Sequence, residues 1–351
     1  MKQQQGKGSL ADRALVLGID AGGTKTVALV ATEQGEAVGL GRGYGANYQS
    51  VGKVRAGIEL KRAIDSALQM AGPGKVVSAC YGVAGADREI DFEIIRELMA
   101  KFDPAQESML CNDTAVALRA GTDDGVGVAL IGGTGSNCMG FNREGKHVKV
   151  GGMGWYCGDY GSADYIVKQA IPEAWKGFDG RGPKTLLTSM FAEALGVDRI
   201  DDIVQFEFAD DFKPMFWHQY AKVVFEAARR GDKTAIKLLR ATGKLAAGDA
   251  LGCIRQLFKR GEAVTVVLGG SVYQKGRHPA LVNGLTDELA RRWPTAKVIK
   301  LRQEPIVGAA LWALDHLLGR PAGRKRTATL RRTHKVLEAS VSPLDDFLDE
   351  S

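Results

Sequence analysis

The amino-acid sequence predicts an α/β protein of two lobes with a ligand cleft between them, and three observations carry that reading. The chain has 351 residues, 45% hydrophobic and 25% charged, an ordinary globular composition long enough for two core-bearing domains. Runs rich in β-branched residues alternate with segments of helical periodicity, the pattern of strands interleaved with helices. The chain also repeats its own opening. Residues 14–41 read ALVLGID, AGGT, KTVALVAT, EQGE, AVGLG, and residues 126–152 read VGVALIG, GTG, SNCMGFN, REGK, HVKVGG. Both give strand, glycine-threonine turn, strand, charged turn, strand: a hairpin whose tip must expose backbone amides.

The elements follow in order. Residues 1–12 are expected as a disordered tail, and 13–118 as the first lobe. After its strand triplet, a helix over 56–71 is predicted by Ile58, Ala63, Ile64, Ala67 and Leu68, then the strand KVVSACYGVAG. A helix over 87–102 and the strand SMLCN complete that lobe. The second lobe, 119–319, adds helices near 162–176, 184–195, 216–230 and 232–259, the strand AVTVVLGG, a helix over 279–293 and the strand AKVIKL. Its closing helix, 305–318, is expected to pack back toward the first lobe. Residues 320–351 read as a solvated charged tail: seven Lys or Arg and no acid from Arg320 to Lys335, then five acids from Glu338 to Glu350.

The net charge of +6 is concentrated at the ends, and the basic stretch lacks the interleaved aromatics of a nucleic-acid surface, so nucleic acid is not the expected partner. No apolar run is long enough to span a bilayer and MKQQQGKGSL lacks an apolar signal core, so no membrane association and a cytoplasmic location are expected. Five cysteines without a CxxC pair do not support a disulfide framework, a zinc site or an iron–sulfur cluster. The histidines show no metal-binding spacing, and the cluster Phe206, Phe208, Phe212, Phe216, Trp217 and Tyr220 reads as lobe core or a subunit contact.

The glycine turns are where ligand chemistry concentrates. In Asp20-Ala21-Gly22-Gly23-Thr24-Lys25-Thr26 the glycines let backbone approach a bulky anion, and Thr24 adds a hydroxyl donor. Gly132-Gly133-Thr134-Gly135-Ser136-Asn137 has the same chemistry, and the two turns facing each other could grip one triphosphate. Neither is a Walker A loop, which needs GxxxxGK[ST], and no GxGxxG opens a helix after the first strand. Asp20 ends an apolar strand, where a carboxylate is costly without a partner; its place suits a Mg²⁺ ligand, or a cap of its own turn. Asp113 begins a helix after SMLCN and is either its N-cap or a general base for a substrate hydroxyl. Gly151-Gly152-Met153-Gly154 and Gly158-Asp159-Tyr160-Gly161 form a third glycine-rich segment, with Asp159 placed to accept from polyol hydroxyls. Gly269, Gly270 and Ser271 bring backbone to a strand end where a flat base could lie.

These motifs resemble the actin-like ATPase and sugar kinase superfamily, with its ribonuclease H-like lobes. Within it they resemble the BadF/BadG/BcrA/BcrD-type group that contains N-acetylglucosamine and glucosamine kinases. GIDAGGTKT is similar to the first phosphate loop, CYGVAGAD to the first connecting segment, LIGGTGSNC to the second phosphate loop, VLGGSVY to the adenosine motif and PIVGAALWAL to the final connecting helix. The resemblance implies ATP and Mg²⁺ as cofactors, a small sugar substrate and a homodimer. It places ATP at Gly22, Gly23, Thr24, Lys25, Gly133, Thr134, Gly135, Gly269, Gly270 and Ser271 and catalysis at Asp113. Sugar contacts fall on Asn47, Asp113, Ser136, Asn137, Gly152, Gly154 and Asp159. It also implies transfer to the 6-hydroxyl of N-acetylglucosamine or glucosamine. The chain departs from the group at Met153, Tyr160 and Gln49, all around the sugar. Two competing functions come from the same resemblance: an ATP-driven activator of acyl-CoA dehydratases or reductases, whose cluster cysteine would be Cys138, and a non-catalytic sugar or nucleotide sensor.

Overall fold

The computed structural model describes residues 13–204 and 217–341. The expected tail 1–12, the cluster Phe206 to Phe216 and the acids beyond residue 341 lie outside the described residues. The described residues form two compact units, one holding those up to Val126 and from Leu301 onward, the other those from Gly127 to Lys300.

In the first unit, strands β1 (Ala14–Ala21), β2 (Lys25–Thr32), β3 (Ala37–Tyr44), β4 (Lys75–Val83) and β5 (Glu107–Asn112) form one sheet in the order β3-β2-β1-β4-β5. The β1–β2 and β2–β3 pairs are antiparallel, and β1–β4 and β4–β5 are parallel. Helices cover both faces closely because the strands carry glycines where the helices press. A Cβ on Gly41 would lie 1.9 Å from the Ala63 carbonyl oxygen of helix Lys53–Ala71, and one on Gly18 would lie 2.4 Å from the Ala310 nitrogen of helix Pro305–Leu318. Leu15, Leu17, Ile19, Leu60, Ile64 and Tyr81 fill the core against the first of these helices.

The second unit repeats the arrangement. Strands β6 (Gly127–Gly132), β7 (Ser136–Phe141), β8 (His147–Val150), β9 (Val264–Gly269) and β10 (Ala296–Lys300) run in the order β10-β9-β6-β7-β8, with an antiparallel triplet and two parallel pairs. Long helices Ala163–Asp179 and Lys233–Leu257 and helix Ala280–Arg292 lie between β8 and β10 in sequence. The α/β expectation of two ribonuclease H-like units is what these sheets show.

Three boundaries differ from the expectation. The proposed division after residue 118 falls inside helix Asp113–Gly121, and the units part after Val126. Helix Pro305–Leu318, expected to close the second lobe by packing back toward the first, packs against β1 and β4 as part of the first unit. The segment expected as a solvated tail folds from Gly323 to Ser340 as a helix that buries Thr327, Leu330 and His334. Its spacing of three, four and seven residues makes a narrow buried stripe, which the basic run disguised. Its cations bond carbonyls: Arg326 Nε donates to Glu33 O at 2.8 Å and Arg331 Nη2 to Ala120 O at 3.1 Å. Thr333 Oγ1 accepts from Ala37 N at 2.9 Å, tying the helix to β3. Among the described residues, no helix is long and apolar enough to cross a membrane.

Candidate active site

Parallel strands β1, β4 and β5 end in register, Asp20 beside Gly82 and Val83 beside Asn112, so their C-terminal ends place Asp20 and Asp113 on one edge. Such edges are where open α/β sheets take ligands. Burial, the neighbouring Asp113 and Glu304 push the Asp20 carboxyl up to about 7, against the opposing pull of the Lys25 ammonium. Lys25 Nζ lies 3.7 Å from Glu304 Oε1. The carboxylates of Asp20 and Asp113 lie close together here, next to a turn where Gly23, Thr24 and Lys25 are exposed; a carboxylate held against a like charge fits a hard divalent cation such as Mg²⁺.

The capping role considered for Asp113 belongs to its neighbour. Asn112 Oδ1 accepts from Thr114 N at 2.9 Å, and its amide nitrogen donates to Asp87 Oδ1 at 2.9 Å and Ala86 O at 3.3 Å. Asp113 is the first residue of the helix and is half-buried.

The first glycine turn closes through Gly22 N donating to Lys25 O at 2.9 Å. Ala46 N donates to Gly22 O at 3.1 Å, and a Cβ on Gly45 would sit 2.0 Å from Gly23 O. This contact brings Asn47 beside the turn. Asn47 caps the short helix Tyr48–Val51, accepting from Gln49 N at 3.0 Å, and its Oδ1 would be 2.6 Å from a Cβ on Gly85, which holds φ +85°. Gln49 donates to Gly85 O at 3.2 Å and to Asp91 Oδ1 at 3.3 Å. Tyr48 and Arg88 also bond Asp91, and the guanidinium holds that carboxyl well below its ordinary range.

In the second unit the turn after β6 is braced by helix Ala163–Asp179: Ala163 N donates to Gly133 O at 2.9 Å and Asp164 N to Thr134 O at 3.3 Å. The third glycine segment folds onto the same turn. A Cβ on Gly152, φ +72°, would be 2.6 Å from Asn137 Oδ1; Gly154 N donates to Asp159 Oδ1 at 3.2 Å; a Cβ on Gly135 would be 3.3 Å from Asp159 Oδ2. Asn137, Gly135, Gly152, Gly154 and Asp159 are thus one cluster, with Ser136 buried at the start of β7. Met153 is exposed within it, its sulfur 3.6 Å from Lys149 Nζ.

Gly270, with φ +85°, packs where a Cβ would be 2.3 Å from Gly132 O, so the end of β9 lies against the end of β6. Ser271 then opens onto a cavity of about 800 Å³, lined also by Ala163, Tyr220, Phe225, Val272 and Arg277. That volume, with an apolar wall and a few charged groups, suits a nucleoside-sized ligand.

Three contributors escaped the sequence reading. Glu304, which precedes the proline that starts helix Pro305–Leu318, lies 3.7 Å from Lys25 Nζ. Asp87 pairs with Asn112. Asp249 lies in helix Lys233–Leu257, and burial together with the nearby Asp159 pushes its carboxyl up to about 7. A signal for Asp249 existed: it is the lone charge between Lys244 and Arg255 in a run of small and apolar residues. Cys138, the candidate cluster ligand, is buried with its sulfur 3.7 Å from that of Cys253.

Two units of this strand order, each with a glycine turn at the end of its first strand, define the fold class of actin-like ATPases and sugar kinases. The chain belongs to the BadF/BadG/BcrA/BcrD ATPase family, whose model matches residues 17–313. It is similar to N-acetyl-D-glucosamine kinase of Dictyostelium discoideum, 29% identical over 320 residues that cover 86% of this chain and 98% of that one. N-acetylmuramic acid/N-acetylglucosamine kinase of Clostridium acetobutylicum is 28% identical over 309 residues, 85% and 97% of the two chains. A solved Chromobacterium violaceum protein provisionally named an N-acetylglucosamine kinase shares the fold with a TM-score of 0.64, at 24% identity, over 86% of this chain and 99% of that one.

Proposed function

We propose that the protein is an ATP-dependent amino-sugar kinase that phosphorylates N-acetylglucosamine or glucosamine at the 6-hydroxyl. The observation that carries the reading is the Asp20–Asp113 pair at the ends of parallel strands beside an exposed glycine turn. The names borne by the similar kinases support the substrate class.

The roles divide by unit. In the second, the cavity beside Ser271 takes the nucleoside and the Gly133–Gly135 turn donates amides to phosphate oxygens. In the first, Gly22, Gly23, Thr24 and Lys25 serve the phosphates, and Asp20 would hold Mg²⁺ directly or through water. The cation would supply charge neutralisation of the phosphates. Asn47 in the first unit and Asn137, Gly152, Gly154 and Asp159 in the second are the candidate partners for sugar hydroxyls. Asp113 accepts the proton of the attacking hydroxyl, whose oxygen bonds to the γ-phosphorus as ADP leaves. Little covalent work falls to the protein in such a transfer, so positioning and charge placement dominate.

A coupled ADP-release assay across N-acetylglucosamine, glucosamine, N-acetylmannosamine, N-acetylmuramic acid and glucose tests the proposal. Release stimulated by an amino sugar above glucose is expected. Release indifferent to every sugar would refute it and favour an activator or a sensor.

A further inference from the structure

We propose that the C-terminal helix completes a second metal site in the first unit, formed by Glu304, His334 and Glu338 and bordering the Asp20–Lys25 cluster through Glu304, for a divalent transition cation of the zinc type. One ligand atom from each residue lies within 4.8 Å of the other two, close enough for a single ion to draw them together. His334 is 2% exposed, and its buried Nε2 has no hydrogen-bond partner. That nitrogen is aimed at Glu304 Oε2, 4.0 Å away. A buried ring nitrogen without a partner is costly, and a metal ion removes that cost.

The surrounding charges leave room for the ion. Lys25 reaches Glu304 through Oε1 at 3.7 Å and Arg42 reaches Glu338 through Oε1 at 3.7 Å, and the two carboxyl groups hydrogen-bond to each other, a shared proton that a bound cation would replace. Burial lowers the affinity of His334 for a proton, which keeps the imidazole neutral as a ligand must be; burial and Glu304 raise that of Glu338. One imidazole and two carboxylates, with a fourth position for water, match the N/O set of zinc, whereas Mg²⁺ and Ca²⁺ take oxygen alone. Two of the three ligands sit on helix Gly323–Ser340, beyond residues 17–313 that match the family model.

The test is calorimetric titration of Zn²⁺, with Mg²⁺ in parallel, into the full chain stripped by chelator and free of nucleotide. Cys157→Ser serves as background, because Cys157 is an exposed thiol. One equivalent of Zn²⁺ is expected to bind at least about tenfold more weakly in both His334→Ala and Glu338→Gln, with folding verified by circular dichroism. His316→Ala, a partly exposed histidine elsewhere on the unit, retains binding. Co²⁺ is expected to give a visible d–d band without thiolate charge transfer. Unchanged Zn²⁺ affinity in Glu338→Gln would overturn the proposal even if His334→Ala failed to fold, and so would a wild type that takes no Zn²⁺.

Discussion

The β1–β2 turn and the β6–β7 turn hold the same place in two sheets of the same strand order, yet they are built from different chemistry. Matching Gly22-Gly23-Thr24 to Gly132-Gly133-Thr134 sets Asp20 opposite Leu130. The first turn is charged: Asp20, Asp113, Lys25 and Glu304 interact around it. The second is steric: Gly132, Gly161 and Gly270 bring backbones so close that a Cβ on Gly270 would strike Gly132. One scaffold, repeated, can thus concentrate charge at one turn and close backbone packing at the other.

Variants at the two turns break or sharpen that comparison. Asp113→Asn is expected to lower kcat by at least about 100-fold, the scale of losing a general base, with ATP affinity nearly unchanged in a binding titration. Next in size is the pH dependence set by Asp20. Its carboxyl titrates near 7, raised from 3.8, so below that pH it holds a proton that Mg²⁺ must displace. Mg²⁺ affinity should fall about tenfold per pH unit below 7, and Asp20→Asn should flatten that slope.

Gly270→Ala should act through structure instead. Positive φ and the clash with Gly132 are expected to cost about 2 kcal/mol, several degrees in Tm, and to weaken ATP while sparing any residual chemistry. The smallest effect belongs to Asp249→Asn. A raised carboxyl pKa favours folding below the unfolded value and loses that advantage as pH rises through about 7. Wild-type Tm should therefore fall more between pH 5 and 8 than that of Asp249→Asn. Parallel curves would remove Asp249 from the account.

Local regularities made much of this legible. The duplicated strand–turn–strand triplet exposed both sheets, because hairpin and strand signals lie within short stretches of chain. The placement of Asp20, Asp113 and the glycine turns at junctions between elements was legible for the same reason. What stayed hidden depends on contacts distant in sequence. Glu304 acquires its role from Lys25 and Asp20, nearly 300 residues earlier, and Asp249 from Asp159. The helix Gly323–Ser340 read as tail because its buried stripe contains Thr327 and His334, polar residues whose burial only the partner surface makes favourable.

Phosphorus NMR of wild-type protein with ATP and N-acetylglucosamine or glucosamine tests the central claim most directly, because it reports where the γ-phosphoryl group goes. A sugar phosphomonoester signal that grows with ADP, and is lost in Asp113→Asn, is the predicted result. ATP turned only into inorganic phosphate, at a rate the sugar does not alter, would contradict it.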